Sequence, residues 1–382
     1  MTPIEYRFIE PLDVLFLRGN KLFGDPGSQG DSLIPPWPSV AAGAIRSRML
    51  ADDGIDPGAF GKGDAPHSTL GTPRQPGSFT VAAFHLARRE GGSVQILMTP
   101  PADLVISKDS DDKATVSLMQ SLPMPSSLSS SSTLPLIPIL AQGNERSKPV
   151  SGYWLTQTGW QHYLNGELPA ADMLVKSSDL WDIDTRTGVG LDGNKRSAAD
   201  GRLFTMQAVA LKRETGFVAG IQGAQPPANG LLRLGGDGRA AAISPAAITL
   251  PEPDYDAIAK ARRCRIVLTT PGLFPQGWKL PGTDASNRIA LPGLSARLAC
   301  AAVPRADTIS GWDLANWRPK PAQRVAPTGS VYWLDELEAT PDALRKLAAS
   351  GLWGEPCEDD ARRAEGFNRM ALALWKSNRT NP

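Results

Sequence analysis

The stretch Glu10-Pro-Leu-Asp-Val-Leu-Phe-Leu-Arg18, followed after a polar loop by Pro35-Pro-Trp-Pro-Ser-Val-Ala-Ala-Gly-Ala-Ile-Arg46, sets the fold class. Residues Glu5 to Leu17 hold two β-prone runs split at Pro11, so a strand leads into the Gly- and Asp-rich loop from Arg18 to Ser32. Ile34-Pro-Pro-Trp-Pro-Ser39 stops regular structure, and Ser39 is the expected N-cap of a helix from Val40 to about Ala51, with Ala42, Ile45 and Met49 at helical spacing. Phe79 to Leu86 and Val94 to Met98, joined by a charged turn containing Gly91-Gly92, read as a β-hairpin. A short helix around Gly159 to Leu164 and strands at Leu203 to Leu211 and Phe217 to Ile221 then complete β-α-β-β-α-β, the ferredoxin-like order.

Outward from this core, the proline-rich stretch near Pro245 to Pro253 marks a boundary. Beyond it Cys264 to Thr270, Leu294 to Ala302 and Ser330 to Leu334 read as strands and Pro341 to Ala349 as a helix that stops before Gly351. The expectation is an α+β protein of two ferredoxin-like (RRM-like) domains with insertions, residues 1–245 and 246–382. From Ser107 to Thr133 periodicity is lost, and six of the seven residues from Ser126 to Ser132 are serine, which predicts a mobile insertion with no packed element.

A chain of 382 residues fits two domains, and 41% hydrophobic with 21% charged residues is a globular balance. There is no apolar run of about 18 residues, and Met1 to Glu10 alternates polar and apolar residues, so a cytoplasmic protein without membrane contact is expected. Cys264, Cys300 and Cys357 are too dispersed for a zinc knuckle or redox pair and read as reduced thiols. Forty basic against thirty-nine acidic residues leave a charge of +1, so any nucleic-acid site must be a local patch.

One such patch runs from Arg186 to Arg213, with six basic residues (Arg186, Lys195, Arg196, Arg202, Lys212, Arg213) and two acidic ones. Its glycines at 188, 190, 193 and 201 permit positive φ and close approach of backbone N–H groups to phosphate. The bland alternative is a solvated basic loop. Ser39 and Arg46 frame a helix N-terminus able to face an anion, although such residues more often only cap a helix or lie on its wet face. Leu234-Gly-Gly-Asp-Gly-Arg239 approaches a metal-binding Gly-Gly-Asp-Asp turn, but Gly238 replaces the second carboxylate; a tight hairpin is the first reading, with Gly235, Gly236 and Arg239 able to touch an RNA backbone. Arg263 and Arg265 share a strand face suited to RNA or a neighbouring subunit. Most of the ten tryptophans belong in the core, and Trp278 and Trp312, beside glycines, are the candidates for base stacking. His67, His85 and His162 are scattered, with His85 in a strand; none forms a metal or catalytic motif.

Three separated blocks carry a family likeness. The two segments quoted first resemble the opening strand and "P-P-x-P-S-x-x-A-G-A-x-R" helix of the third subunit of type III-B CRISPR Cmr effector complexes, in the RAMP superfamily. Arg186-Thr-Gly-Val-Gly-Leu-Asp192 through Asp200-Gly-Arg-Leu-Phe204 is similar to that family's "R-x-G-I-x-(I/L)-D … x-G-x-L-(Y/F)" segment. Ile309-Ser-Gly-Trp-Asp313, Lys320-Pro321 and Ala326-Pro-Thr-Gly-Ser-Val-Tyr332 resemble its "S-G-W-D … K-P … P-x-G-S-V-Y" pattern. Glu365-Gly-Phe-Asn368 is a weak version of the family's terminal glycine-rich loop, and the serine-rich insertion matches no family motif.

The resemblance implies a non-catalytic subunit without cofactor that holds the repeat-derived 5′ handle of the CRISPR RNA. Its implied neighbours are the large polymerase-like subunit and the backbone RAMP subunit, with target RNA met indirectly. The basic segment, about residues 184–204, resembles a protruding hairpin that wedges against the guide. Arg18, closing the first block, is counted with Ser39, Arg46, Arg186, Lys195, Arg196, Arg202, Gly235, Gly236, Arg239 and Trp278 as RNA-binding. Two rivals are the equivalent type III-A subunit, disfavoured by the Ser310-Gly-Trp-Asp313 block, and a metal-independent processing endoribonuclease, which must gather His67 or His162 with a lysine or tyrosine.

Overall fold

The structure, a computed structural model, describes residues 3–17, 19, 29–30, 32–109, 111–140, 148–192, 195, 197–313, 316 and 318–376. It is an α+β arrangement of antiparallel sheets with few helices. The strand Glu5–Pro11 lies between Thr215–Gln222 and Arg239–Pro245, antiparallel to both, with Phe8 opposite Val218 and Ser244. Thr80–Glu90 pairs with the far side of Thr215–Gln222. Numbered along the chain, these four strands stand in the order four-one-three-two within an eight-stranded sheet.

This order departs from the expected pairing. The hairpin Thr80–Glu90/Ser93–Met98 forms as predicted, with Gly91 and Gly92 at positive φ, but Ser93–Met98 continues outward to Tyr153–Thr156 and Leu174–Lys176. The third core strand is therefore Thr215–Gln222 and the fourth is Arg239–Pro245, which closes the hairpin Gly230–Leu234/Arg239–Pro245 at the expected Asp237-Gly238 turn, while the second helix expected around Gly159 to Leu164 forms as Gln157–Leu164. Alternating apolar residues report that a strand is half-buried, not which partner buries it. A bulge at Gly220/Ile221 also lets Val81 and Phe84, of opposite parity, face the same core.

The first helix, Pro38–Asp52, lays Ala41, Ala42, Ile45 and Met49 against Ile9, Phe79, Phe217 and Ile221. Small residues bring the helix close to the sheet, and each large side chain so buried contributes about 1.5–3 kcal/mol. The cap differs from expectation. Trp37 is the N-cap residue without a side-chain hydrogen bond, because Pro38 already starts the helix, and Ser39 falls inside the first turn.

A second, five-stranded sheet has Cys264–Leu268 between Val331–Ala339 and Met370–Leu374, with Leu294–Ala302 and Arg288–Leu291 beyond. Its first four strands in chain order after residue 255, leaving aside the short Arg288–Leu291, repeat the four-one-three-two order. The two sheets meet across a shared layer in which Phe8, Val218 and Met98 face Val267, Val331 and Trp333. The helix Gln157–Leu164 inserts Trp160, Tyr163 and Leu164 into this seam, on the sheet face opposite the first helix.

Within the seam Asp103, Tyr163 and Arg265 are buried together. The Tyr163 hydroxyl donates to Asp103 Oδ1 (2.8 Å), and Arg265 Nη1 donates to Asp103 Oδ2 (2.8 Å). The guanidinium also stands 4.3 Å from the Tyr163 ring centroid. Arg265, expected on an outer face, is thus an internal cation, and the partner that draws it inward lies 162 positions away.

The insertion is also corrected. Leu104–Lys108 pairs with Ala114–Leu118 and Gln120–Pro123 with Leu136–Ile139, and Leu104, Val116, Leu118 and Leu136 pack into the seam. The serine run is only the exposed turn between two of these strands. It is anchored where Asn287 Nδ2 donates to the Thr133 carbonyl (2.9 Å) and Leu134 enters the C-terminal core. Within residues 104–139, limited proteolysis should cut first at Leu128, which is 60% exposed. First cleavage between Leu104 and Leu118 would show that the paired strands are not held.

Candidate nucleic-acid interface

The basic segment forms a long antiparallel ribbon, Trp181–Leu191 with Ala198–Leu211, in register from Trp181/Leu211 to Val189/Leu203. Its base is fixed by burial. Trp181 sits edge-on to Trp154 at 5.7 Å, and Ala208 and Val209 are buried. Leu15 and Val209 exchange two backbone hydrogen bonds of 2.9 Å, and Gly236 N–H donates to the Phe16 carbonyl (2.9 Å). The segment after Pro11 therefore ties the ribbon to the glycine-rich turn.

Toward its tip the ribbon projects, and Ile183, Val189, Leu191 and Leu203 are exposed apolar side chains. Ile183, Val189 and Leu203 share one face with Thr185, Thr187 and Thr205, by the period of two and the cross-strand register. The opposite face is folded over itself. A Cβ on Gly188 would collide with the Phe204 ring, and one on Gly190 would lie 3.0 Å from Arg202 Cβ and Cδ. Both glycines are in extended strand, not at positive φ. They make room for side chains crossing the ribbon, which corrects the expectation that they bring backbone N–H groups to phosphate.

At the base, Phe16 lies between two guanidinium groups, Arg186 at 5.8 Å and Arg239 at 5.1 Å from its ring centroid. Each is already paired, Arg186 with Asp184 (2.8 Å) and Arg239 with Asp13 (2.8 Å). Gly235, Gly236 and Arg239 thus join Arg186 in one group, but its charge is largely compensated. Further out, Lys195 and Arg202 are exposed without an ion-pair partner among the described residues. Both stand toward the tip of the ribbon. Arg18 and Arg196 lie outside the described residues. Phe16 and Asp13 escaped sequence reasoning, and an aromatic inside the first block was the available signal.

The family model for CRISPR-associated protein Cmr3 matches residues 7–375. The chain belongs to the Cmr3 family. No curated protein matches it in sequence. Among solved structures, a chain in the cryo-EM structure of type III-B Cmr-β bound to cognate target RNA and AMPPNP shares 14% identity at a TM-score of 0.50, covering 96% of this chain and 98% of that one. A chain of Cmr-β bound to cognate target RNA alone also shares 14% identity, at a TM-score of 0.49, with 96% of both chains covered.

In this family member the first and third sequence blocks meet at Glu365. Its carboxylate takes Arg362 (2.9 Å) and Lys320 (3.2 Å), while Ser310 Oγ donates to the Lys320 carbonyl (2.7 Å) and Arg362 Nη2 to the Ser310 carbonyl (3.2 Å). Burial raises the pKa of Glu365, but Lys320, Arg362 and Arg46 outweigh it and hold the carboxyl below its usual range. Arg46 stacks over Phe79 at 4.8 Å, and burial lowers its pKa against the opposing pull of Glu365. Arg46 is half-buried over Phe79 and within electrostatic reach of Glu365, which couples the first helix to the C-terminal half. Ser39, half-buried in that helix, makes no part of the ribbon group.

Trp278 is 40% exposed in the C-terminal half, its carbonyl accepting from the Tyr332 hydroxyl (2.7 Å), and is not part of the ribbon group either. His67 is buried, its Nδ1 accepting from Thr69 and Leu70 N–H groups and its Nε2 2.9 Å from Asp53. His162 and Lys376 approach the two oxygens of Glu167 at 3.3 and 3.7 Å on an open surface. Among the described residues no cluster of three or more His, Cys, Asp or Glu is placed to hold a metal, and no helix is long and apolar enough to cross a membrane.

Proposed function

We propose that this chain is a non-catalytic RNA-binding subunit of a type III-B CRISPR ribonucleoprotein, holding the 5′ handle of the CRISPR RNA. The observation that carries this is the projecting ribbon, which offers exposed Lys195 and Arg202, without an ion-pair partner among the described residues, beside an exposed apolar face. Cations of that kind bind phosphate and release counterions, whereas Arg186 and Arg239, each on a carboxylate, hold the ribbon's base. Family membership and the fold shared with a chain of a target-RNA-bound Cmr-β assembly support the same reading. The large polymerase-like subunit and the backbone RAMP subunit are the proposed neighbours in the cytoplasm. Both halves are proposed as ferredoxin-like derivatives divided near residue 245, on the strength of the repeated four-one-three-two order.

Measuring guide affinity against salt in the assembled complex tests this. Lys195→Ala/Arg202→Ala should weaken binding at every handle sequence and flatten the salt slope by roughly 0.7 per lost single-strand contact. Asp184→Asn, which frees Arg186, should not weaken it. Affinity and slope unchanged in the double variant would leave the ribbon without an RNA role.

A further inference from the structure

A cavity of about 260 Å³ opens at the seam between the two sheets, with Trp37 in its wall from the segment before the first helix, Phe84 and His85 from Thr80–Glu90, and Trp160 from the seam helix. Thr270, just past Cys264–Leu268, and Asp307 close it from the C-terminal half. Such junctions between sheets are common places for small-ligand sites.

His85 is the residue that packing alone does not account for. It is only 9% exposed and lines the cavity, yet neither ring nitrogen has a hydrogen-bond or ion-pair partner among the described residues. Burial pushes its pKa down to about 4, so at neutral pH the ring is uncharged and presents one donor and one acceptor nitrogen. Asp307, exposed toward solvent but lining the cavity, adds an acceptor with no ion pair among the described residues, and its partial burial raises its pKa. Among the described residues no lysine or arginine lines the space, which favours an uncharged ligand over a phosphate. Aromatic side chains in the lining, Trp37, Phe84, Trp154 and Trp160, favour a flat one.

We propose that the seam cavity binds a single uncharged nucleobase bearing an exocyclic amino group, hydrogen-bonded to His85 and Asp307 and flanked by Trp37 and Trp160, with sugar and phosphate left outside. The inference rests on the RNA-binding reading only for the source of the base. An unpaired base of the handle and a free nucleotide present the same chemistry.

The test has two arms. In the first, the purified chain is titrated with adenosine, cytidine and uridine while tryptophan fluorescence is followed. An amino-bearing nucleoside should saturate and quench, uridine should bind at least about tenfold more weakly, and His85→Leu should lose about tenfold while His85→Gln keeps part of the affinity. In the second, the assembled wild-type complex is offered handle RNAs with one base removed at a time. If the base comes from the guide, one abasic position loses about tenfold, and His85→Leu becomes indifferent to it.

Because the abasic series is read on wild-type protein, it does not depend on a variant folding. Nucleosides that bind while every abasic RNA matches the intact handle would assign the cavity to a free nucleotide. No nucleoside binding together with a flat abasic series overturns the proposal, and salt-dependent guide binding through Lys195 and Arg202 would survive that result. Nucleoside binding without any RNA binding would instead sink the RNA reading and keep the cavity.

Discussion

Asp103→Ala lowers the free energy of unfolding by about 3–5 kcal/mol, because it strands the Arg265 guanidinium in an apolar seam. Both side chains are essentially excluded from water, at 0% and 3% exposure. Burial alone pushes the Asp103 carboxyl upward in pKa, against the pull of Arg265 and the hydrogen bond from Tyr163. The remaining Arg265 contacts, to the Tyr163 and Leu374 carbonyls at 3.3 and 3.2 Å, cannot replace a carboxylate. Asp103→Leu/Arg265→Met removes both charges at similar volume and should recover most of the loss. Urea unfolding followed by circular dichroism measures all three chains. A single variant within about 1 kcal/mol of wild type would mean that the guanidinium finds water once the carboxylate is gone.

Acidification from pH 6.5 to about 4 should cost the fold up to ~3 kcal/mol through His85 alone. The folded-state pKa is depressed by burial from 6.5 to about 4, so over this window the unfolded chain binds a proton that the folded chain refuses. Stability is therefore complete above pH 6.5 and is lost as pH falls toward about 4. Aspartates and glutamates titrate near the lower end, so the informative quantity is wild type minus His85→Leu, measured by denaturant unfolding at several pH values. That difference should shrink steadily on acidification. Parallel stability curves for the two chains would show that the ring already reaches solvent through the cavity mouth.

Several elements were legible because their signals are local. The Thr80–Glu90/Ser93–Met98 hairpin needs only two β-prone runs and Gly91-Gly92, and the helix Pro341–Ser350 needs only Pro341 and Gly351 at its ends. Of the ribbon Trp181–Leu211 only the strand from Leu203 to Leu211 was legible in the residues, and its hairpin form came from the family resemblance. The insertion was misread because the composition of its tip, Ser126 to Ser132, was extended to flanking strands that alternate apolar residues and pack in the seam. Lys195 was singled out and is exposed, whereas Arg186, singled out on the same ground, is paired with Asp184, and Arg46 is half-buried over Phe79.

By itself the sequence determined the first helix, the Thr80–Met98 hairpin and the central strands of the C-terminal sheet, the family blocks and the presence of a local basic segment, since propensity, turn chemistry and motif spacing act over a few residues. The tertiary structure alone decided which strands neighbour which, that Arg265 is internal, that Arg186 and Arg239 are paired with carboxylates, and that His85 faces an open cavity. Each of these depends on a partner far along the chain, as Asp103 is from Arg265, Asp13 from Arg239 and Glu365 from Arg46. Charge type is written in a residue, but whether that charge is buried, paired or free is set by the packing of segments that only folding brings within a few ångströms.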